Sequence, residues 1–195
     1  MFRFPAAAFL KLAIAASAFV SHAVFAAPVS FSGELSPSDP TYNRPLSSTT
    51  VSQVGTNVAY DVYGFYVSAN GTYSIEATSF AAAGADSYLF VYRDAFNAGT
   101  PLDNLVALDD DSGEGLLSNL VSALQTEVQY YLVFTSYNNG AFGSYTGRFD
   151  TLGGAGQVVL GALPTPGEVP EPGTLALLPL ALLGMQAARR RSRRA

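Results

Sequence analysis

From Val58 to Phe149 apolar residues recur at every second position or in short unbroken runs, with turn residues between them. A period of two over short segments is the signature of β-structure. Val29–Leu35 predicts a first strand, and a loop rich in Ser, Thr and Pro follows it (Ser36-Pro37-Ser38-Asp39-Pro40). Val58–Val67 is a run of Val, Tyr and Phe. Asn70-Gly71 is a strong tight-turn pair, after which Tyr73, Ile75 and Ala77 alternate with Thr72, Ser74, Glu76 and Thr78, so 58–79 predicts a hairpin. Ser87–Tyr92 carries apolar residues toward both faces, as a strand inside a sandwich does. Leu105–Leu108 predicts a short strand, Leu116–Leu124 a strand or a short helix, and Val128–Phe134 a strand. Asn138-Asn139-Gly140 turns the chain, and Tyr145, Gly147 and Phe149 then alternate with Ser144, Thr146, Arg148 and Asp150 in a last half-exposed strand. Many short strands separated by turn signals, with no sustained helical period, predict an all-β sandwich over residues 28–150.

The ends follow other rules. Arg3 and Lys11 precede the apolar run Leu12–Val20, and Val24-Phe25-Ala26 offers a cleavage site before Ala27-Pro28. Residues 1–26 therefore read as a secretory signal peptide. The alternative is an uncut anchor, against which the shortness of the run counts. After Thr151 the composition shifts to Gly, then to Pro-Thr-Pro-Gly, so 151–168 reads as a linker in which Gln157–Leu160 adds a short edge strand. Residues 169–195 form a tail: Val169-Pro170-Glu171-Pro172-Gly173, an apolar run from Thr174 to Ala188, and the cluster Arg189, Arg190, Arg191, Arg193 and Arg194. As a helix, 174–188 spans about 22 Å at ~1.5 Å per residue, short against a hydrocarbon core of ~30 Å. The arginines resist translocation, act as a stop-transfer signal and put the body on the far side of the membrane. A marginal span interrupted by Pro179 and Gly184 suits a temporary hold better than a permanent one.

Charge narrows the function classes. Between Ala27 and Glu168 three arginines (Arg44, Arg93, Arg148) face fourteen carboxylates, a formal −11 against −5 for the whole chain. Such a body repels nucleic acid and anionic lipid, and suits cations. Arg93 and Arg148 read as ion-pair partners of nearby acids. There is no cysteine, so no disulfide framework, and the one histidine, His22, lies in the signal. A Ser–His–Asp or Cys–His nucleophile and a zinc site of His or Cys ligands cannot be built. Paired carboxylates remain as a route to sugar cleavage, but no spacing singles out an acid and its partner. No catalytic residue is assigned, and the chain is not expected to be an enzyme.

The remaining chemistry is acidic and aromatic. Asp109, Asp110 and Asp111 are adjacent carboxylates with Glu114 close behind, and Asp86 precedes a strand whose partner leads into Asp109. Asp109-x-Asp111-x-Gly113 looks like the start of an EF-hand loop, but its twelfth position is Leu120 and that motif fails. These five residues read either as a calcium site in a sandwich loop or as a solvated acidic turn. No other cofactor is required. All eleven tyrosines lie in the body, among them Tyr60, Tyr63, Tyr66, Tyr88, Tyr92, Tyr130, Tyr131 and Tyr137. Exposed tyrosines stack on sugar rings, but core filling and strand propensity are the preferred reading of each of them.

The order Pro-Glu-Pro, short apolar run, terminal arginines over 169–194 resembles the PEP-CTERM sorting signal. That resemblance implies Pro170, Glu171 and Pro172 as the recognition motif, an exosortase (a membrane transpeptidase) and the secretion machinery as partners, transient holding in the inner membrane, and release to the surface of a bacterium that makes exopolysaccharide. Gly71–Ile75, Asp86–Tyr92, Leu108–Gly113 and Tyr130–Phe134 resemble segments of the bacterial pre-peptidase C-terminal (PPC-like) domain. This second resemblance implies a jelly-roll-like sandwich and an accessory or adhesive role, in some relatives with calcium. Thr126-Glu127-Val128-Gln129-Tyr130 departs from it by lacking a glycine. The expected function is a matrix-associated structural or binding protein linked to exopolysaccharide or biofilm. The alternatives are a calcium-stabilised adhesion or protein-interaction module without glycan binding and, third, a carboxylate glycosidase.

Overall fold

A computed structural model describes residues 27–153 and 156–164. The expected signal peptide (1–26), the expected sorting motif, the apolar run 174–188 and the terminal arginines lie outside the described residues. Within them every regular element is a strand: β1 (Val29–Leu35), β2 (Thr41–Tyr42), β3 (Pro45–Ser47), β4 (Thr50–Val51), β5 (Val58–Val67), β6 (Gly71–Phe80), β7 (Ser87–Arg93), β8 (Leu105–Asp109), β9 (Asn119–Leu124), β10 (Tyr130–Ser136), β11 (Gly143–Leu152) and β12 (Val158–Leu160). One main sheet runs β1-β11-β6-β9; the second runs β12-β5-β10-β7-β8, with β2 beside β5, and β3 and β4 pair as a separate two-stranded sheet. Every pairing is antiparallel. The fold is a partly curled all-β sandwich, consistent with a jelly-roll-like arrangement.

Alternation decides which face of each strand turns inward. In β11, Tyr145, Gly147 and Phe149 are buried while Ser144, Thr146 and Arg148 are exposed. Tyr73, Ile75 and Ala77 of β6 meet Phe65 and Val67 of β5, and Leu89 and Val91 of β7, in one core. The opposite face of β7 (Tyr88, Phe90, Tyr92) makes a second apolar cluster with Tyr42, Val58 and Val133, roofed by Phe96. β7 is therefore buried on both sides, as its composition predicts. Arg148 pairs with Glu76 at 2.8 Å and Asp150 at 2.9 Å, and Arg93 lies 3.5 Å from Asp94.

Two expectations are corrected. The hairpin over 58–79 does not form, because β5 and β6 belong to different sheets. Gly71 is not among the glycines with positive φ, so the pair lacks the backbone that a two-residue hairpin turn demands. Instead Asn70 Oδ1 accepts the Thr126 N–H at 2.8 Å, and the chain crosses the end of the sandwich. The strand placed at Val128–Phe134 runs from Tyr130 to Ser136, because Glu127 (φ 60) turns the chain just before it. The open choice at 116–124 resolves to a strand from Asn119.

A polar pin joins the two sheets. The Tyr145 hydroxyl donates to Asp61 Oδ2 at 2.5 Å and lies 2.6 Å from the Tyr63 hydroxyl, which donates to Ser32 O at 2.9 Å. Burial first, and then the bond to Asp61, raises the Tyr145 pKa far above its ordinary value, so this tyrosine stays a donor. Its ring stacks on Phe134 with centroids 3.6 Å apart. Tyr145→Phe keeps the stack and removes the donor, leaving the Asp61 carboxylate without it. Urea unfolding is expected to show a loss of about 1–3 kcal/mol; a loss within a few tenths would show that water replaces the hydroxyl at no cost.

Candidate functional site

The acidic residues lie where two loops meet at one end of the sandwich. Asp86 closes the loop between β6 and β7, and Asp110 and Asp111 open the loop between β8 and β9. β7 and β8 are hydrogen-bonded neighbours (Leu89 opposite Asp109), so the start of one lies beside the end of the other. The second loop is built by its own backbone: Gly113 N–H donates to Leu117 O at 2.8 Å and Leu117 N–H to Glu114 O at 3.1 Å. A Cβ on Gly113 would lie 2.5 Å from Leu117 O, which explains the glycine. Ser87 ties the loops together, its Oγ 3.0 Å from Ser118 Oγ and accepting the Ser118 N–H at 2.9 Å.

One carboxylate oxygen each of Asp86, Asp110 and Asp111 lie within 4.8 Å of one another. Asp109 does other work: Oδ1 accepts the N–H groups of Ser112 (3.2 Å) and Asn119 (2.7 Å) and so shapes the turn. Glu114 is exposed in the loop and its carboxylate is not part of the group. Of five sequence candidates, three converge.

Their electrostatics are unfavourable as they stand. Asp86 Oδ1 and Asp110 Oδ1 are buried atoms without a hydrogen-bond partner. Burial, then repulsion from Asp111 and Asp86, pushes the Asp110 pKa up to about 6. Burial and Asp111 also raise Asp86. In both cases Arg44 opposes the rise.

Arg44 is the residue that sequence reasoning missed. It sits in the Ser/Thr/Pro loop, where arginine is normally exposed, yet its relative exposure is 0%. Its guanidinium lies between the rings of Tyr88 (4.3 Å) and Tyr137 (4.6 Å). Nε and Nη2 both donate to Tyr137 O at 3.1 and 3.0 Å, and Nη1 donates to Pro45 O at 3.1 Å. The Tyr137 N–H in turn donates to Asp86 O at 3.1 Å, so Arg44 is linked to the backbone of an acidic residue through the one residue Tyr137. The available signal was scarcity: a body with three basic residues rarely leaves one without a role.

Chemically, three carboxylates against one arginine leave −2. A hard divalent cation would balance that charge and supply the partner that the buried oxygens lack. Calcium–oxygen distances are about 2.3–2.6 Å, so two ligands of one ion stand no more than about 5 Å apart, which the group satisfies. Exposed positions around Asp111 leave room for water to complete the shell.

A family profile described as the PEP-CTERM protein-sorting motif matches residues 168–194, over the Pro-Glu-Pro, the apolar run and the arginines. This motif is a sorting tag, not a catalytic unit, and it supports an exported, cell-surface location and interaction with an exosortase-type sorting system. No curated protein matches the chain.

Proposed function

We propose that the chain is an exported structural or binding protein of the bacterial cell surface or extracellular matrix, sorted through its tail, with a PPC-like sandwich as its working part. The observation that carries the reading is the sorting motif joined to a strongly acidic body without a nucleophile–base pair. In this reading Pro170, Glu171 and Pro172 are recognised by an exosortase, and Arg189, Arg190, Arg191, Arg193 and Arg194 hold the tail in the inner membrane until processing. The body then associates with exopolysaccharide or biofilm matrix. Calcium at Asp86, Asp110 and Asp111 locks the loop end of the sandwich, since millimolar calcium outside the cell fills even a weak site. The buried, unpartnered oxygens of Asp86 and Asp110 favour this over a solvated turn. The second reading is a calcium-stabilised adhesion or protein-interaction module, favoured by the same oxygens and independent of any sugar.

The secreted form, incubated with the exopolysaccharide of its own producer, separates these readings. Retention in calcium that is lost in chelator is expected. Retention in both would keep glycan binding and remove calcium from it. No retention in either would overturn the matrix reading in favour of a protein partner.

A further inference from the structure

The last described residues are fastened to the body more firmly than a linker needs. β12 pairs with β5, Val158 opposite Val67 and Leu160 opposite Phe65, and Val158 is buried in the core. Upstream, Thr151 Oγ1 donates to Gly156 O at 2.8 Å, and the Gln157 N–H donates to Ser68 Oγ at 2.7 Å. Downstream, the Gly161 N–H donates to Gly64 O at 2.7 Å. Gln129 then closes over the exit. Its Nε2 shares two hydrogens among Phe65 O (3.0 Å), Tyr130 O (3.0 Å) and Gly161 O (3.2 Å), and its Oε1 accepts the Leu163 N–H at 2.5 Å. A side-chain amide using both ends on four backbone groups is a specific fixture.

The fixture lies close to the sorting motif. The matched motif begins at Glu168, so only Pro164-Thr165-Pro166-Gly167 separate it from Leu163. At no more than ~3.6 Å per residue, that reach is about 18 Å from Leu163 to Glu168. A folded body of this size has a radius of gyration of about 14 Å. Whatever holds the motif therefore works within about 18 Å of the point where the body releases the chain. If the fixture opened back to Leu152, the same bound would be about 58 Å. A tether near its limit of reach lowers the effective concentration of the site it carries, and lengthening it raises that concentration until the span is matched. The −11 body adds repulsion from an anionic membrane surface.

We propose that β12 and Gln129 form a clasp that fixes the tether between the body and the sorting motif, and that the closed clasp slows handling of that motif by the membrane sorting machinery. The proposal rests on the sorting reading. The full-length chain is produced in a bacterium carrying its exosortase, and conversion to the shortened form is followed by pulse–chase and mass spectrometry. A wild-type chain that is never shortened overturns the sorting reading and the clasp with it. With processing present, a ten-residue Gly-Ser insertion between Leu163 and Pro164 leaves the clasp intact and is expected to speed conversion several-fold. Gln129→Ala is expected to do the same while hydrogen exchange of the 158–160 amides rises and the thermal midpoint of the body moves little. An insertion that leaves conversion unchanged or slower overturns the proposal. So does an insertion that accelerates conversion while Gln129→Ala, with exchange raised at 158–160, does not.

Discussion

Arg44→Met is expected to destabilise the body by about 3–5 kcal/mol, because it removes several charge-assisted hydrogen bonds and two ring contacts at once. Methionine retains an apolar stem of similar length, so cavity formation is a minor part of the loss. What goes are the two hydrogen bonds to Tyr137 O and the one to Pro45 O, which leaves both carbonyls short of donors. The two ring contacts at 4.3 and 4.6 Å go too, each worth about 0.5–2 kcal/mol when desolvated. The positive charge that restrains Asp86 and Asp110 also disappears. Urea unfolding reads the effect as a lower midpoint at unchanged slope. Arg44→Lys keeps the charge but cannot place two donors on one carbonyl while lying flat between two rings, so it is expected to recover only part of the loss. A change under about 1 kcal/mol in Arg44→Met would mean that the tyrosine pair and solvent compensate for the guanidinium.

That contrast between a silent residue and a large effect marks where sequence reading reaches its limit. β1 was legible to the residue, and β7 and β11 nearly so, because strand burial is a local pattern: both faces apolar in β7, strict alternation in β11. The sheet to which a strand belongs is not local. Asn70-Gly71 specifies a reversal, and a reversal serves a hairpin or a crossing between sheets equally well. Arg44 was hidden for the same reason, since its partner Tyr137 lies 93 residues away. Within the acidic run the three aspartates look equivalent in sequence, yet Asp109 ends β8 and caps two backbone N–H groups while its neighbours converge with Asp86. The tail is the opposite case. Its meaning lies in the order of its parts, and the match to the sorting motif needs no coordinates.

The acidic site makes an expectation with an unusual sign. Carboxylates ordinarily add stability that is lost in acid; Asp110 should do the reverse. Its folded pKa of about 6 lies above its ordinary 3.8, so between those values the folded chain binds more protons than the unfolded one. In chelator, the contribution of this site to stability is therefore lowest above pH 6, rises as pH falls through 6, and is complete below 3.8. After allowance for solvent around a part-exposed group, the gain is about 1–2 kcal/mol. In the proposed reading, calcium acts on the other side of the same balance. At pH 7.5 and 10 mM, an ion bound with a dissociation constant of about 0.1–1 mM adds roughly 1.4–2.7 kcal/mol. At pH 5 the proton on Asp110 competes and the increment shrinks. Asp110→Asn removes the repulsion without the proton, so in chelator at pH 7.5 it is expected to melt higher than the wild type and to gain almost nothing from calcium. Thermal melts of both proteins at pH 5 and 7.5, with calcium and with chelator, read all of this directly. A calcium increment equal at the two pH values, or an Asp110→Asn protein as responsive as the wild type, would place any bound ion elsewhere and return the loop to a solvated acidic turn.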